Sequence, residues 1–534
     1  MRWPRVLRVG DAAASLELGD AVLPQLSARV LATDAELRRA PFEGLLECVP
    51  SFRSLLVRFD ASRVRFDAVR GGLLRALEAC AAREAPAGRL HELPVRYGGE
   101  DGPDLEAVAR AVGLEPAQVA ALHAASVYGV FMLGFRPGFP YLGLLPERLA
   151  LPRRATPRPR VPAGSVALAA RQTGIYPEAS PGGWHLIGRT NALLFDPLAE
   201  RPALVEPGDR VRFVRVEELG PAPRRAGREP EPTGGASVEV LDGGLLTSIQ
   251  DAGRSGLRRL GVGSAGAADL QALAAANAAL GNAWDAAALE CTLAGPGLRF
   301  LRPTRFAVAG ADLGARLERD DLGAWPVPPA GAVLARPGQR LWFAGRRAGC
   351  RAVIAFAGGV RVPAVLGSRS TDRLAGFGGK DGRPLAAGDL LELDAARDTL
   401  AARAAGAFSE PPEVLTLRVV LGPQDDHFDE QALRRFLGAA FSVSATSDRV
   451  GCRLEGPPLS HAGPAEIVSD GMLEGCVQVP PDGQPIVALC DGPTTGGYPK
   501  IATVIAADLP RIAQLVPGQS RVRFEAVDLG QDRA

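Results

Sequence analysis

Lysine is nearly absent from this 534-residue chain: of 61 basic residues, only Lys380 and Lys500 are lysines. Arginine stands wherever a solvated positive charge suffices, whereas an ammonium is compact, donates from a point and titrates when buried. The two survivors are therefore candidate catalytic residues, with chance retention at two surface positions as the competing explanation. Cys48, Cys80, Cys291, Cys350, Cys452, Cys476 and Cys490 are odd in number, widely spread and never form CxxC, which argues against a disulfide framework and a zinc site. His91, His123, His185, His427 and His461 show no HExxH or other ligand spacing, so no metal ligands are singled out. Runs of about 18 apolar residues are missing, and MRWPRVLRVGDAAASLELGD has no apolar signal core, so a reducing cytoplasm is expected and a membrane is not. A net charge of only +1 gives no reason to expect nucleic acid as a partner.

What is abundant is glycine (63) and proline (45), which with few aromatics predicts many turns and short strands. The length suggests roughly three or four domains. Residues 217–236, EELGPAPRRAGREPEPTGGA, carry almost no large apolar side chain and read as a linker. Residues 1–88 alternate β-rich pieces such as SLLVRF with alanine-rich helical ones, which predicts a small α+β domain. In GPDLEAVARAVGLEPAQV, Asp104 is placed to cap a helix ended by Gly113, and Pro116 opens another. VPAGSVALAARQTGIYP (161–177) is echoed by VPPDGQPIVALCDGPTTGGYP (479–499). Both are followed by a closing string, PGDRVRF (207–213) and PGQSRVRF (517–524), and PGQRLWF (337–343) is a third copy. Such spacing predicts β-barrels, two or three in tandem: one over 89–216, a first β domain over 237–412, and another barrel over 413–534. The fold class is thus mainly β with an α+β amino-terminal domain.

Four segments concentrate polar chemistry. Between 134 and 190, Arg136, Arg153, Arg158 and Arg189 accompany amides freed at Gly138, Gly164 and Gly182–Gly183, a combination able to hold a carboxylate or phosphate, unless these are solvated barrel turns. Ser165 is read with this group, but as a nucleophile it lacks a GxSxG elbow and a partner base. His123 reads as a packed or capping residue, His185 as a weaker candidate still, and Trp184 as a rim or interface aromatic. After the linker, Gln250, Asp251 and Arg254 precede a helix from Asp269 to Leu280, for which Asp269 is a good N-cap. Arg369, Ser370, Asp372, Lys380 and Arg383 share one Gly-rich stretch. It is not a P-loop, since Leu374 and Asp381 stand where Gly and Ser or Thr are needed, but glycine amides with Lys380 could still hold phosphate. Last come Asp448, Arg449, Asp470, Gln478, Asp482, Asp491, Thr495, Tyr498 and Lys500, spaced along strands and turns that could converge on a barrel mouth; a carboxylate beside a lysine is equally a surface ion pair.

GFRPGFPYLGLLP, PRPRVPAGSVALA and TGIYPEASPGGWHLIGRT resemble the KipI / allophanate-hydrolase-subunit-1 family, also called the B subunit of 5-oxoprolinase. TSIQDAGRSG, LGSRSTD, GFGGKDGR, QVPPDGQPI and TTGGYPK resemble the KipA / subunit-2 family, the C subunit of 5-oxoprolinase. Together the resemblances span nearly the whole chain, B-type before C-type, with the linker as the joint. They imply cyclophilin-like barrels, a separate 5-oxoprolinase A-type protein as partner, and ATP-dependent opening of 5-oxo-L-proline to L-glutamate, with Mg2+ expected because ATP reactions normally use one. In that frame Lys500, Asp491, Tyr498 and Lys380 are the catalytic candidates and the remaining polar residues bind substrate or nucleotide; homo-oligomerisation is left open. One departure stands out: family members often read DRMGYRL where this chain has Asp448-Arg449-Val450-Gly451-Cys452-Arg453-Leu454. Two other activities share the resemblance, a carboxyltransferase acting on urea or a related amide with carboxybiotin, and an inhibitor of a histidine kinase. The chain has no MKM-type biotinylation site, so biotin would have to come from another protein.

Overall fold

A computed structural model describes residues 3–81, 88–223, 235–396, 410 and 412–529. At the amino terminus, strands Arg5–Val9, Ala13–Glu17, Ser54–Phe59 and Leu45–Pro50 form an antiparallel sheet in that spatial order. Helices Pro24–Arg39 and Phe66–Ala81 cover it and bury Val30, Leu37, Val69 and Leu73 against Leu16, Leu55 and Val57. This is the expected α+β unit. Most of the predicted linker, 224–234, lies outside the described residues.

Two closed seven-stranded barrels follow, separated by a unit of two open sheets. In the first barrel, Leu90–Tyr97 runs parallel to Arg210–Arg215, and in the second, Val414–Leu421 runs parallel to Arg521–Ala526. Following each barrel from its parallel pair gives the same strand connectivity, and each carries a two-stranded side pair: Arg158–Val161 with Ser180–Gly182, and Asp470–Gly471 with Thr495–Gly496. The barrels are thus topological repeats, strand for strand. The third closing string contributes strand Arg340–Phe343 to a seven-stranded open sheet rather than to a third barrel. That sheet and a five-stranded one enclose Val238, Phe300, Phe306 and Phe356.

Local signals behave as their chemistry dictates. Gly113 ends helix Leu105–Val112 at φ 65°, a left-handed conformation that favours glycine, and Glu115 with Gln118 forms a capping box at Pro116–Ala124. Asp269 caps helix Leu270–Ala278 by accepting from the Ala272 amide at 2.9 Å. Asp104 occupies the N-cap position without capping, because its carboxylate is held elsewhere. His123 is fully buried between Tyr97 and Thr173, and burial depresses its pKa to about 3. Trp184 lies not on an open rim but in an aromatic layer with Phe139 and Tyr141 that reaches Phe52 of the α+β unit.

The four units are joined by one stretch of chain. Residues 252–268 of the middle unit touch all the others: the Leu260 carbonyl accepts from Gly138 of the first barrel, the Ala265 amide donates to Cys490 of the second, and the Arg258 amide donates to Glu47 of the α+β unit. Leu260, Val262, Val365 and Phe377 also pack into the core of the first barrel.

Candidate functional site

The polar residues singled out in the sequence fall into three separate clusters. In the first, Lys500 is 1% exposed and its ammonium meets the Asp470 carboxylate, itself buried. Gln424 completes the group: its amide donates to Asp470 at 3.0 Å, and its side-chain oxygen accepts from the Lys500 backbone at 3.2 Å. A surface ion pair is therefore ruled out for Lys500. Thr495 and Gln478 flank it, Gln478 pairing with Lys500 in the strand ladder. Thr495 Oγ1 accepts from the Phe135 amide at 3.2 Å, and the Tyr141 hydroxyl meets the same threonine. Tyr498 is half-buried in the connection just before Lys500. This cluster therefore lies where the second barrel's side pair meets the first barrel.

The barrel repeat gives it a counterpart. In the first barrel, Asp104 exchanges backbone and side-chain hydrogen bonds with Leu186, at 2.9 and 2.7 Å, and accepts from Arg158 at 2.7 Å. Gln424 exchanges the corresponding bonds with Lys500, at 3.1 and 3.2 Å, but donates to Asp470 where Asp104 accepts from Arg158. Arg158 and Asp470 both open the first strand of a side pair, so one architectural position holds a cation in one barrel and an anion in the other. Burial opposes ionisation of Asp104, yet Arg158 and the Leu186 amide keep its pKa below the ordinary carboxylate range. Arg158 is thus engaged by Asp104, together with Arg154, and Arg189 sits 3.3 Å from the buried Asp101. These arginines hold the protein's own carboxylates instead of presenting a free anion site. Ser165 is buried within a strand. Arg136 spans the halves, donating to the Leu374 carbonyl at 2.9 Å with Glu178 3.4 Å away.

In the second cluster Arg449, 2% exposed, grips Asp491 with two bonds of 2.9 Å, meets Glu290 and donates to the Gly266 carbonyl at 2.6 Å. Burial alone would lower its pKa, but the Asp491 and Glu290 carboxylates hold it well above the ordinary arginine value. Asp491 is thereby committed to a charge pair, away from Lys500 and Tyr498 with which its place in the sequence groups it. Asp448 organises the neighbouring turn through the Val450 amide, and Asp482 does likewise for Gln484.

The third cluster rests on Asp251, which accepts from Ser368, Ser370 and the Arg369 amide at 2.5–2.6 Å. Gln250 donates to Ser248 and to the Thr371 carbonyl. Arg254 donates to the Val365 and Ser370 carbonyls and lies over Phe377 at 4.7 Å. Burial pushes the Asp372 pKa up. Gly378, at φ 73°, passes so close that a Cβ there would lie 2.1 Å from the Ser370 carbonyl, which explains the glycines of GFGGKDGR. Arg369 pairs with Asp394 at 2.6 Å, Arg383 makes a two-bond pair with Asp389, and Lys380 sits half-buried in the adjoining turn. Sequence reasoning missed Gln424 and Glu290. Each lies far along the chain from its partner, Asp470 and Arg449 respectively, and no local spacing reports such a contact.

Two closed barrels flanking a two-sheet unit, tied together by buried charge pairs, define the class. A model of the carboxyltransferase domain, subdomains A and B, matches residues 260–526, and one of subdomains C and D matches residues 4–205. The chain belongs to the carboxyltransferase-domain family. It is 42% identical over 224 residues to the 5-oxoprolinase B subunit of Bacillus subtilis (strain 168), covering 40% of this chain and 93% of that protein. It is 38% identical over 283 residues to the 5-oxoprolinase C subunit of Escherichia coli (strain K12), covering 53% of this chain and 89% of that protein. Urea amidolyase of Lachancea kluyveri is 31% identical over 310 residues, 16% of its own length. Among solved structures, TTHA0988 is similar over 96% of this chain and 100% of its own, with TM-score 0.84 and 39% identity.

Proposed function

We propose that this chain is the fused B-type and C-type part of an ATP-dependent 5-oxoprolinase, which opens 5-oxo-L-proline to L-glutamate together with a separate A-type protein. The observation that carries it is coverage: a B-type and a C-type relative each align over nearly their full length to one polypeptide. In the reaction the lactam C–N bond breaks, one water supplies the oxygen of the new carboxylate and the ring nitrogen leaves as the amine, while ATP and a second water become ADP and phosphate. Opening an unstrained lactam is unfavourable as well as slow, so coupling to ATP hydrolysis supplies the driving force.

Lys500 has a defined part in this scheme. Asp470 neutralises its ammonium, and Gln424, bonded to Asp470 and to the Lys500 backbone amide, fixes the pair at the junction of the two barrels, so Lys500 serves the site by holding that junction together. ATP and Mg2+ enter as co-substrates. The arginines read for phosphate do not fit that role, because Arg158, Arg189, Arg369 and Arg383 each already face a carboxylate, and no phosphate-handling step is assigned to them. In this proposal nucleotide recognition falls to the A-type partner.

Carboxyl transfer is the second reading, supported by the family description and by the structural likeness to Kluyveromyces lactis urea carboxylase, TM-score 0.51 over 55% of this chain. Reconstitution separates the two. The purified chain with its A-type partner should release glutamate from 5-oxoproline only when ATP is present; carboxylation of urea from a carboxybiotin donor, with no glutamate formed, would replace the proposal with the second reading.

A further inference from the structure

A niche of about 270 Å³ opens on the seam between the α+β unit and the second barrel. Trp3, Arg5, Asp20 and Arg53 come from the first of these, Asp426 and His427 from the second. Gln424, which bonds Asp470 and the Lys500 amide, begins the turn that carries Asp426 and His427. The volume falls just below the roughly 300–1,000 Å³ of drug-sized pockets, which limits an occupant to a small molecule.

Its floor is short of negative charge. Arg53 is 7% exposed; its Nη1 donates to the Gly19 carbonyl at 2.7 Å, and its Nε is sealed without a partner. Nη2 makes no hydrogen bond among the described residues and, unlike Nε, is open to the niche that Arg53 lines. Among the described residues, the carboxylate within 4 Å of Arg53 is the buried Glu17, at 3.7 Å, and Arg5 already binds it through two nitrogens. One buried carboxylate thus serves two guanidiniums, and burial of charge normally demands fuller compensation. The rim has the opposite sign. Asp20 is exposed and makes no hydrogen bond or ion pair among the described residues, and Asp426 meets Arg5 only at 3.4 Å. Trp3 forms a wall, its ring covered by the Arg5 guanidinium at 4.6 Å.

We propose that this niche binds a small α-amino acid as its zwitterion, the carboxylate accepting from Arg53 Nη2 and the ammonium held at the Asp20 and Asp426 rim. A carboxylate alone would face two rim carboxylates of its own sign, and an amine alone would leave Arg53 unanswered, so recognition needs both charges. Identifying the occupant as L-glutamate, the product of the reaction, rests on the function proposed above; the preference for a zwitterion does not.

Calorimetric titration of the full chain tests the proposal, with L-alanine, L-glutamate and propionate as probes; propionate is L-alanine without its ammonium. Arg53→Gln removes the floor charge but also bears on folding, whereas Asp20 is exposed, so Asp20→Lys decides. The expected result is that both amino acids bind, propionate does not, and Asp20→Lys weakens binding by at least about tenfold with an unchanged melting temperature. Equal binding by wild type and Asp20→Lys would overturn the site, and so would equal binding of L-alanine and propionate or no binding of either amino acid. Binding of L-alanine without L-glutamate would uphold the zwitterion site and overturn L-glutamate as its occupant. The site and the function are separable. Glutamate release by the reconstituted wild type, with neither amino acid bound in the titration, would overturn the site and leave the function standing. Binding that Asp20→Lys abolishes, without glutamate release by the reconstituted wild type, would uphold the site and remove the function.

Discussion

Lys500 and Asp470 are both buried, so each is the other's reason for being charged. Removing one partner of such a pair leaves an uncompensated charge in a poorly solvated place, and Lys500→Met is expected to cost about 3–5 kcal/mol of stability. Restoring neutrality with Lys500→Met/Asp470→Asn should recover much of that loss, because Gln424 can still bond to an asparagine amide. Urea denaturation of the three proteins measures both numbers. His123 makes a pH prediction with a definite sign. Its pKa falls from 6.5 when solvated to about 3 in the fold, because burial excludes the imidazolium. A depressed folded pKa means that the contribution is complete above pH 6.5 and is lost as pH falls from there towards 3, by up to about 1.4 kcal/mol per pH unit. His123→Gln should therefore flatten the fall in stability between about pH 6.5 and 4; an unchanged slope would count against the assignment. The scarcity of lysine points to Lys500 correctly as an unusual residue, but it does not distinguish Lys500 from Lys380. The difference is burial, which depends on what the second barrel packs against.

At the scale of elements, the two barrels meet through a close approach. Gly134 lies so near the second barrel's side pair that a Cβ there would sit 2.3 Å from Thr495 Oγ1. Gly134→Ala must push these elements apart, at a cost of about 1–3 kcal/mol, and should lower the melting temperature accordingly. A second substitution, Thr495→Ala, should restore part of it by removing the clashing oxygen. The barrel repeat is legible from the Pro-Gly turns and closing strings, yet the alignment they suggest is displaced by one strand. Sequence similarity sets Ser165–Ala169 against Ile486–Ala488, whereas connectivity equates Ser165–Ala169 with Cys476–Gln478. Neighbouring short apolar strands joined by similar turns share one period of two, so pattern alone does not tell them apart. The same limit makes PGQRLWF look like part of a third barrel: a strand beginning after Pro-Gly fits an open sheet as well as a closed one.

At the scale of the whole molecule, the break at 217–236 announces two halves, but nothing local announces how tightly they are joined. Leu260, Val262, Val365 and Phe377 come from beyond that break and are buried with the first barrel's core. Cutting an engineered protease site within 224–234 should therefore leave the two fragments eluting together in size-exclusion chromatography without denaturant; separate elution would show that the covalent joint, and not this packing, holds the halves. The stretch 252–268 is rich in glycine and arginine because it must pass between three other units and neutralise Glu47 and Glu474 on the way. If both halves serve one reaction, the yield of glutamate must depend on this chain and on ATP together. The most direct measurement is glutamate formed per ATP hydrolysed when 5-oxo-L-proline is incubated with the A-type partner and this chain. The expected result is glutamate in proportion to ATP consumed, and none when the chain is omitted; ATP turnover without glutamate, or the same glutamate yield without the chain, would contradict a shared reaction.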